Sequence, residues 1–200
     1  MFHARYAGRT MRPTVPEPPV AGLVLAAGAG SRFGGPKGLA RTAEGEPWVV
    51  RAVRMLRDGG CTEVAVAVGA AADDVAALVP AGATVVRVPD WETGLSASLR
   101  AGIEAIAAPA RILIVTVDTP DLPAAAVARV REAAGGRDDA LAQATYGGAP
   151  GHPVLLGPAH TAAVAASVAG DRGARPYLAA HGALEVECGD LWSGADVDHR

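Results

Sequence analysis

Aromatic residues make up only 4% of this 200-residue chain, and Cys61 and Cys188 are its only thiols. So few aromatic side chains argue against a sandwich of aromatic-rich strands. The abundance of alanine, valine and glycine instead suits helices packed closely on a parallel sheet. The two cysteines lack metal-ligand spacing, and so few thiols place the chain, by expectation, in the reducing cytoplasm, with a Cys61–Cys188 disulfide as the lesser alternative. A formal net charge of −3 offers no basic face for nucleic acid. No apolar run is long enough to span a bilayer, so no membrane role is expected. Residues 1–19 carry Arg5, Arg9, Arg12 and several prolines but no apolar h-region, so no secretory signal is expected. They are expected to form an extended N-terminal tail, with Met11 as an alternative start and one domain over residues 20–200.

What the chain does have is a glycine-rich turn directly after an apolar strand. Val20 to Ala26 predicts a buried strand, and Gly28, Gly30, Gly34 and Gly35 follow it in a loop that carries Arg32 and Lys37. Successive N–H groups of such a turn can face one anion, and the two cations add charge-assisted donors. A Walker A loop is excluded, because Pro36 follows Gly35 and Gly38 stands where a magnesium-binding Ser or Thr is needed. A dinucleotide fingerprint fits poorly: Phe33 replaces its third glycine, and the next strand ends at Val68-Gly69 without an acidic residue.

Periodicity and turn residues predict helices over 47–57, 71–78, 96–107, 123–134, 158–168 and 173–181. Strands are expected over 63–68, 84–88, 111–117, 140–145, 153–156 and 184–186. Ser96 reads as an N-cap. Alternation of strands and helices at this spacing predicts an α/β domain on a right-handed, mainly parallel sheet. In such a sheet the ligand site lies beyond the carboxyl ends of the strands, where loops 27–38, 89–98 and 118–122 all fall.

Five stretches then occur in order: VLAAGAGSRFGGPK at 24–37, GLSASLRAG at 94–102, VDTP at 117–120, GHP at 151–153 and GDRGA at 170–174. Together they resemble the MobA-like NTP transferases, a family of nucleotidyltransferases with a Rossmann-like, three-layer α/β/α (GT-A-like) fold. Molybdenum-cofactor cytidylyltransferases are the branch they resemble most. The resemblance implies transfer of a nucleoside monophosphate, CMP from CTP, to a phosphorylated acceptor such as molybdopterin, with Mg2+ as cofactor and a molybdoenzyme as partner. It also implies that Leu25, Ala26, Ala27, Gly28, Ala29, Gly30, Ser31, Arg32 and Lys37 bind the nucleotide, and that Gly94, Leu95 and Ser96, which bind it too, lie near the base.

Arg32, Lys37 and Asp118 are the candidate catalytic residues. Asp118 ends the most apolar strand, where a carboxylate is costly without a partner, and magnesium supplies one. The alternative for Asp118, and the better reading for Asp121, is a helix cap or loop ion pair. Asp196-Val197-Asp198 resembles a second acidic motif of the same branch, which implies Asp198 as a metal ligand; a frayed acidic terminus is the other reading. His152 reads either as an acceptor contact or as a hydrogen-bonded structural histidine. Arg172 reads as an acceptor contact or as part of a solvated turn. Trp91 is assigned to packing or surface. A sugar-phosphate nucleotidyltransferase, a non-catalytic cofactor-binding accessory protein and a nicotinamide-binding oxidoreductase stay open as alternatives.

Overall fold

The computed structural model describes residues 19–106 and 110–198. The expected N-terminal tail and the end of the third helix at Ala107 lie outside the described residues. Seven strands form one sheet: β1 Val20–Ala26, β2 Glu63–Val68, β3 Thr84–Arg87, β4 Arg111–Thr116, β5 Leu141–Tyr146, β6 Ala149–Leu156 and β7 Leu184–Glu187. Six helices accompany them: α1 Trp48–Asp58, α2 Ala72–Leu78, α3 Leu95–Ala105, α4 Ala124–Ala134, α5 Pro158–Ser167 and α6 Arg175–Ala180.

Each boundary has a local cause. Pro47 and Pro123 sit just ahead of α1 and α4, where a missing N–H costs nothing, and Gly59 closes α1. Along β1, Leu23 and Leu25 face one side of the sheet, whereas Val24 and Ala26 face the other. Both faces are covered. Val49, Val53 and Leu56 of α1 and Val127 and Val130 of α4 fill one core. Leu99 and Ile103 of α3, Val164 of α5 and Leu178 of α6 fill the second. The result is the three-layer arrangement expected.

The strand order is β3-β2-β1-β4-β6-β5-β7. The first three strands step outward in one direction, and the chain then crosses back to lay β4 on the free edge of β1. That reversal opens a crevice beyond the carboxyl ends of β1 and β4. β6 runs antiparallel to both β4 and β5, so the sheet is mainly rather than wholly parallel. β6 also begins at Ala149 rather than at the expected Pro153, because it forms a hairpin with β5 through Gly147 and Gly148.

Candidate active site

The crevice between β1 and β4 holds a cleft of about 520 Å³. Its floor is the strand end and turn from Leu25 to Phe33, and its sides bring Lys37, Gly94, Leu95, Asp118 and Asp198 to the same space. The turn closes on itself, with the N–H groups of Gly34 and Gly35 donating to Gly30 O at 2.9 and 3.1 Å. Gly30 has φ +61°, and a Cβ there would lie 2.0 Å from Gly35 O, so only glycine allows the turn to close this tightly. The turn carries Arg32 into the cleft as an exposed guanidinium without an ion-pair partner among the described residues.

Lys37 is the hub of the charged end. Its Nζ lies 3.0 Å from Asp118 Oδ2 and 2.8 Å from Asp198 Oδ1. Burial draws the lysine pKa down, but the hydrogen bonds to Asp198 and Asp118 and the two carboxylate charges outweigh that, and the net shift is upward. Asp198 reaches this point because its segment docks: the Val197 N–H donates to Asp118 O at 2.9 Å, and the Val197 side chain packs on the core beneath α1 and α4. One oxygen each from Asp118, Asp196 and Asp198 lie within 4.8 Å of one another. The second carboxylate oxygen of Asp118, Oδ1, is buried without a hydrogen-bond partner among the described residues. A buried carboxylate oxygen without a donor is what a hard divalent cation satisfies, so this donor set fits one.

At the other end of the cleft the geometry departs from expectation at Ser96. Gly94, not Ser96, is the N-cap of α3; its φ of +111° and the contact with Gly170 leave no room there for a side chain. Ser96 is the second residue of the helix, buried, and its N–H donates to Gly170 O at 2.9 Å. Ser98, two residues further along α3, lines the cleft instead, together with Trp91, Glu92 and Asp171. Trp91 therefore does more than pack on the sheet. Asp196 and Asp171 each stand beside a residue singled out from sequence. A period-two reading of Asp196-Val197-Asp198 would have weighed the first; the single acid of the 170–174 turn carries no such signal.

His152 and Arg172 part company. His152 lines a second cavity of about 220 Å³, which meets the cleft at Leu25 and Leu95. Its Nδ1 is 3.2 Å from Ile114 O, so that nitrogen is the donor, and burial holds the imidazole pKa below its ordinary value. Arg172 is exposed and lines neither cavity; its backbone N–H closes the turn to Ala169 O at 3.2 Å. Arg175 takes the place at the cavity wall. Asp121 pairs with Arg51 at 3.3 Å on the surface, the loop ion pair that was its better reading.

Comparison with known proteins agrees with this geometry. Residues 22–186 match the MobA-like NTP transferase domain. Nicotine blue oxidoreductase of Paenarthrobacter nicotinovorans is 36% identical over 194 residues, covering 90% of this chain and 93% of that protein. The crystal structure of the Mycobacterium tuberculosis rv0371c homologue from Mycobacterium sp. strain JC1 superposes with a TM-score of 0.78, at 30% identity and 90% coverage of each chain. Rv0371c of M. tuberculosis H37Rv in complex with manganese has the same fold, with a TM-score of 0.73 at 23% identity and coverage of 90% and 94%. The glycine turn, the acidic end of β4 and the strand order that joins them all agree with the match: the chain belongs to the MobA-like NTP transferase family.

Proposed function

We propose that this protein is a magnesium-dependent nucleotidyltransferase that moves CMP from CTP to a phosphorylated small-molecule acceptor. The acceptor favoured by the motif resemblance is molybdopterin or its molybdenum-bearing form, and a molybdoenzyme would then receive the product. The observation that carries the reading is the meeting of Lys37, Asp118 and Asp198 in one cleft with Arg32, which has no ion-pair partner among the described residues, on the glycine turn. In this reaction an acceptor oxygen bonds to the α-phosphorus while the bond from that phosphorus to the bridging oxygen breaks, and pyrophosphate departs with the electron pair. Two anions must approach, so fixed positive charge and alignment provide most of the acceleration.

Arg32 grips the triphosphate in bidentate fashion, and Lys37 adds a compact charge. Asp118, Asp196 and Asp198 would hold the cation, which when bound neutralises phosphate charge as a Lewis acid. The N–H groups of residues 28–33, ahead of the Gly34 and Gly35 donors that close the turn, orient the phosphates, and the cavity beside His152 gives the acceptor a place next to the cleft. Ala27 lines the cleft, and the motif resemblance implies that its methyl group narrows the base site for a purine.

Calorimetry with Mg2+ is expected to give tighter binding of CTP than GTP, and tighter GTP binding overturns the cytidine assignment. Pyrophosphate release with candidate acceptors tests the reaction. Asp118→Asn should keep the fold and lose at least about a hundredfold in turnover, and wild-type rates in that variant would remove the central claim. A sugar phosphate that outpaces molybdopterin reassigns the acceptor. Nucleotide binding without any release favours an accessory role.

One observation favours a second reading: the relative sharing 36% identity over nearly its whole length bears an oxidoreductase name. Under that reading the glycine turn would hold the pyrophosphate of a nicotinamide dinucleotide. Phe33 and the absence of an acidic residue at the end of β2 speak against it. NAD binding with no affinity for any nucleoside triphosphate would establish it.

A further inference from the structure

The cleft contains two carboxylates that the reaction above does not use, Glu92 and Asp171. Asp171 is the better placed. It sits in the turn after Gly170, and the Ser96 N–H to Gly170 O bond ties that turn to the first turn of α3. A Cβ on Gly94 would come within 2.7 Å of Asp171 Oδ1, so the absence of a side chain at Gly94 leaves the carboxylate open to the cleft. Asp171 is exposed and enters no ion pair or side-chain hydrogen bond among the described residues.

A free carboxylate is out of place beside a triphosphate, because like charges at close range in a confined site repel strongly. At the β1–β4 end the carboxylates of Asp118, Asp196 and Asp198 lie with Lys37 and would hold the cation, and Arg32 adds a further positive charge. Asp171 and Glu92 at the α3 end have no such group beside them among the described residues. That charge asymmetry gives the nucleotide a direction: phosphates toward Arg32 and Lys37, base toward Asp171. An ionised carboxylate only accepts hydrogen bonds. It therefore stabilises a base edge that offers N–H and penalises one that offers a carbonyl oxygen. Cytosine has an exocyclic amine where uracil has an oxygen, and the two bases are otherwise nearly the same shape.

We infer that Asp171 is the base-reading residue of this cleft, accepting a hydrogen bond from the exocyclic amine of a pyrimidine and so selecting CTP over UTP. The inference rests on the nucleotidyltransferase reading and adds to it the group that tells the two pyrimidines apart. A methyl at Ala27 restricts size. It cannot distinguish an amine from a carbonyl.

The test is calorimetric titration of the full chain in Mg2+ with CTP, UTP and 2′-deoxy-CTP, using wild type, Asp171→Asn and Asp171→Ala. Wild type should prefer CTP over UTP about tenfold, the scale of one charge-assisted hydrogen bond at a partly solvated site. Asparagine both donates and accepts, so Asp171→Asn should bring the ratio to about one. Asp171→Ala should weaken CTP and leave UTP unchanged or improved. Equal wild-type affinities for CTP and UTP overturn the inference, as does a ratio that survives in Asp171→Asn. An equal fall for both nucleotides, with lost discrimination against 2′-deoxy-CTP, moves the carboxylate to the ribose and also overturns it. Each of these outcomes leaves the nucleotidyltransferase reading standing. Failure of every nucleotide to bind wild type overturns that reading, and this inference with it.

Discussion

Replacing Lys37 by methionine should make bare metal binding tighter while nucleotide binding weakens. The Lys37 ammonium lies 3.0 Å from Asp118 Oδ2 and 2.8 Å from Asp198 Oδ1, oxygens that belong to the same acidic group proposed to hold a cation. A divalent ion that takes these oxygens must first displace the lysine. Buried, each charge-assisted hydrogen bond would be worth roughly 1.5–3 kcal/mol. The side chains of Lys37, Asp118 and Asp198 are 15%, 22% and 42% exposed, however, and solvent screening pulls such pairs toward surface values. The two contacts together then hold the site against a metal by about 1–2 kcal/mol, or roughly fivefold to thirtyfold in affinity. Free Mn2+ measured by electron paramagnetic resonance, with protein titrated in the absence of nucleotide, reads this directly and needs no turnover. The Lys37→Met chain should bind Mn2+ more tightly by that factor. In wild type, adding CTP should draw the ammonium onto the phosphates and raise Mn2+ affinity, and the methionine variant should lose that coupling. Unchanged or weaker Mn2+ binding in Lys37→Met, with the fold intact, refutes the competition.

Two further outcomes follow from contacts elsewhere, one at the edge of the sheet and one at the cleft. The Glu187 carboxylate accepts from the N–H groups of Gly147, Gly189 and Gly148 and from the Thr145 hydroxyl, and these bonds hold its pKa at about 2 against an ordinary 4.5. A depressed carboxylate stabilises the fold above its unfolded pKa, so Tm should fall as pH drops from 4.5 toward 2, and Glu187→Gln should be less stable at pH 7 and flatter across that window. Gly94→Ala meets both a φ of +111° and Gly170 at 2.5 Å; urea unfolding should reveal a loss of about 1–3 kcal/mol, and calorimetry a weaker CTP complex.

The parts of the fold that were legible in the sequence are those with local causes. β1 is a continuous apolar run, α1 lies between Pro47 and Gly59, and the crevice follows from where the glycine turn and Asp118 fall relative to strand ends. The direction of β6 was not legible. Its first half, Ala149 to Pro153, carries two prolines and no alternation, which reads as loop. The structure tolerates them because that half pairs with β5 alone, and only Val154 to Leu156 is bonded on both sides. The signal that did exist was Gly147-Gly148 between two strand-forming runs, a hairpin pattern. Ser96 was misplaced because cap preference favours the serine, whereas tertiary contact at Gly170 excludes any side chain from the capping position two residues earlier. The approach of Asp198 to Asp118 joins residues far apart in the chain and rests on the Val197 N–H and its packing. No local pattern reports such a contact; only the motif resemblance pointed to it.

Shared scaffold does not decide between nucleotidyl transfer and the redox chemistry named in a relative, since one fold hosts unrelated sites. The charges in the cleft do bear on the choice. A nicotinamide dinucleotide has its pyrophosphate in the middle and a nucleoside at each end. With that pyrophosphate on the glycine turn, the second nucleoside would extend either past Lys37 into Asp118, Asp196 and Asp198, or toward Glu92 and Asp171. The first direction sets a ring against three converging carboxylates, one with a buried oxygen that lacks any donor among the described residues. A triphosphate carrying a divalent cation meets the same carboxylates with opposite charge and satisfies that oxygen. The acidic end of the cleft is therefore costly for a dinucleotide and favourable for a metal triphosphate, and that difference, more than the glycine turn both ligands could use, is the physical ground for preferring nucleotidyl transfer.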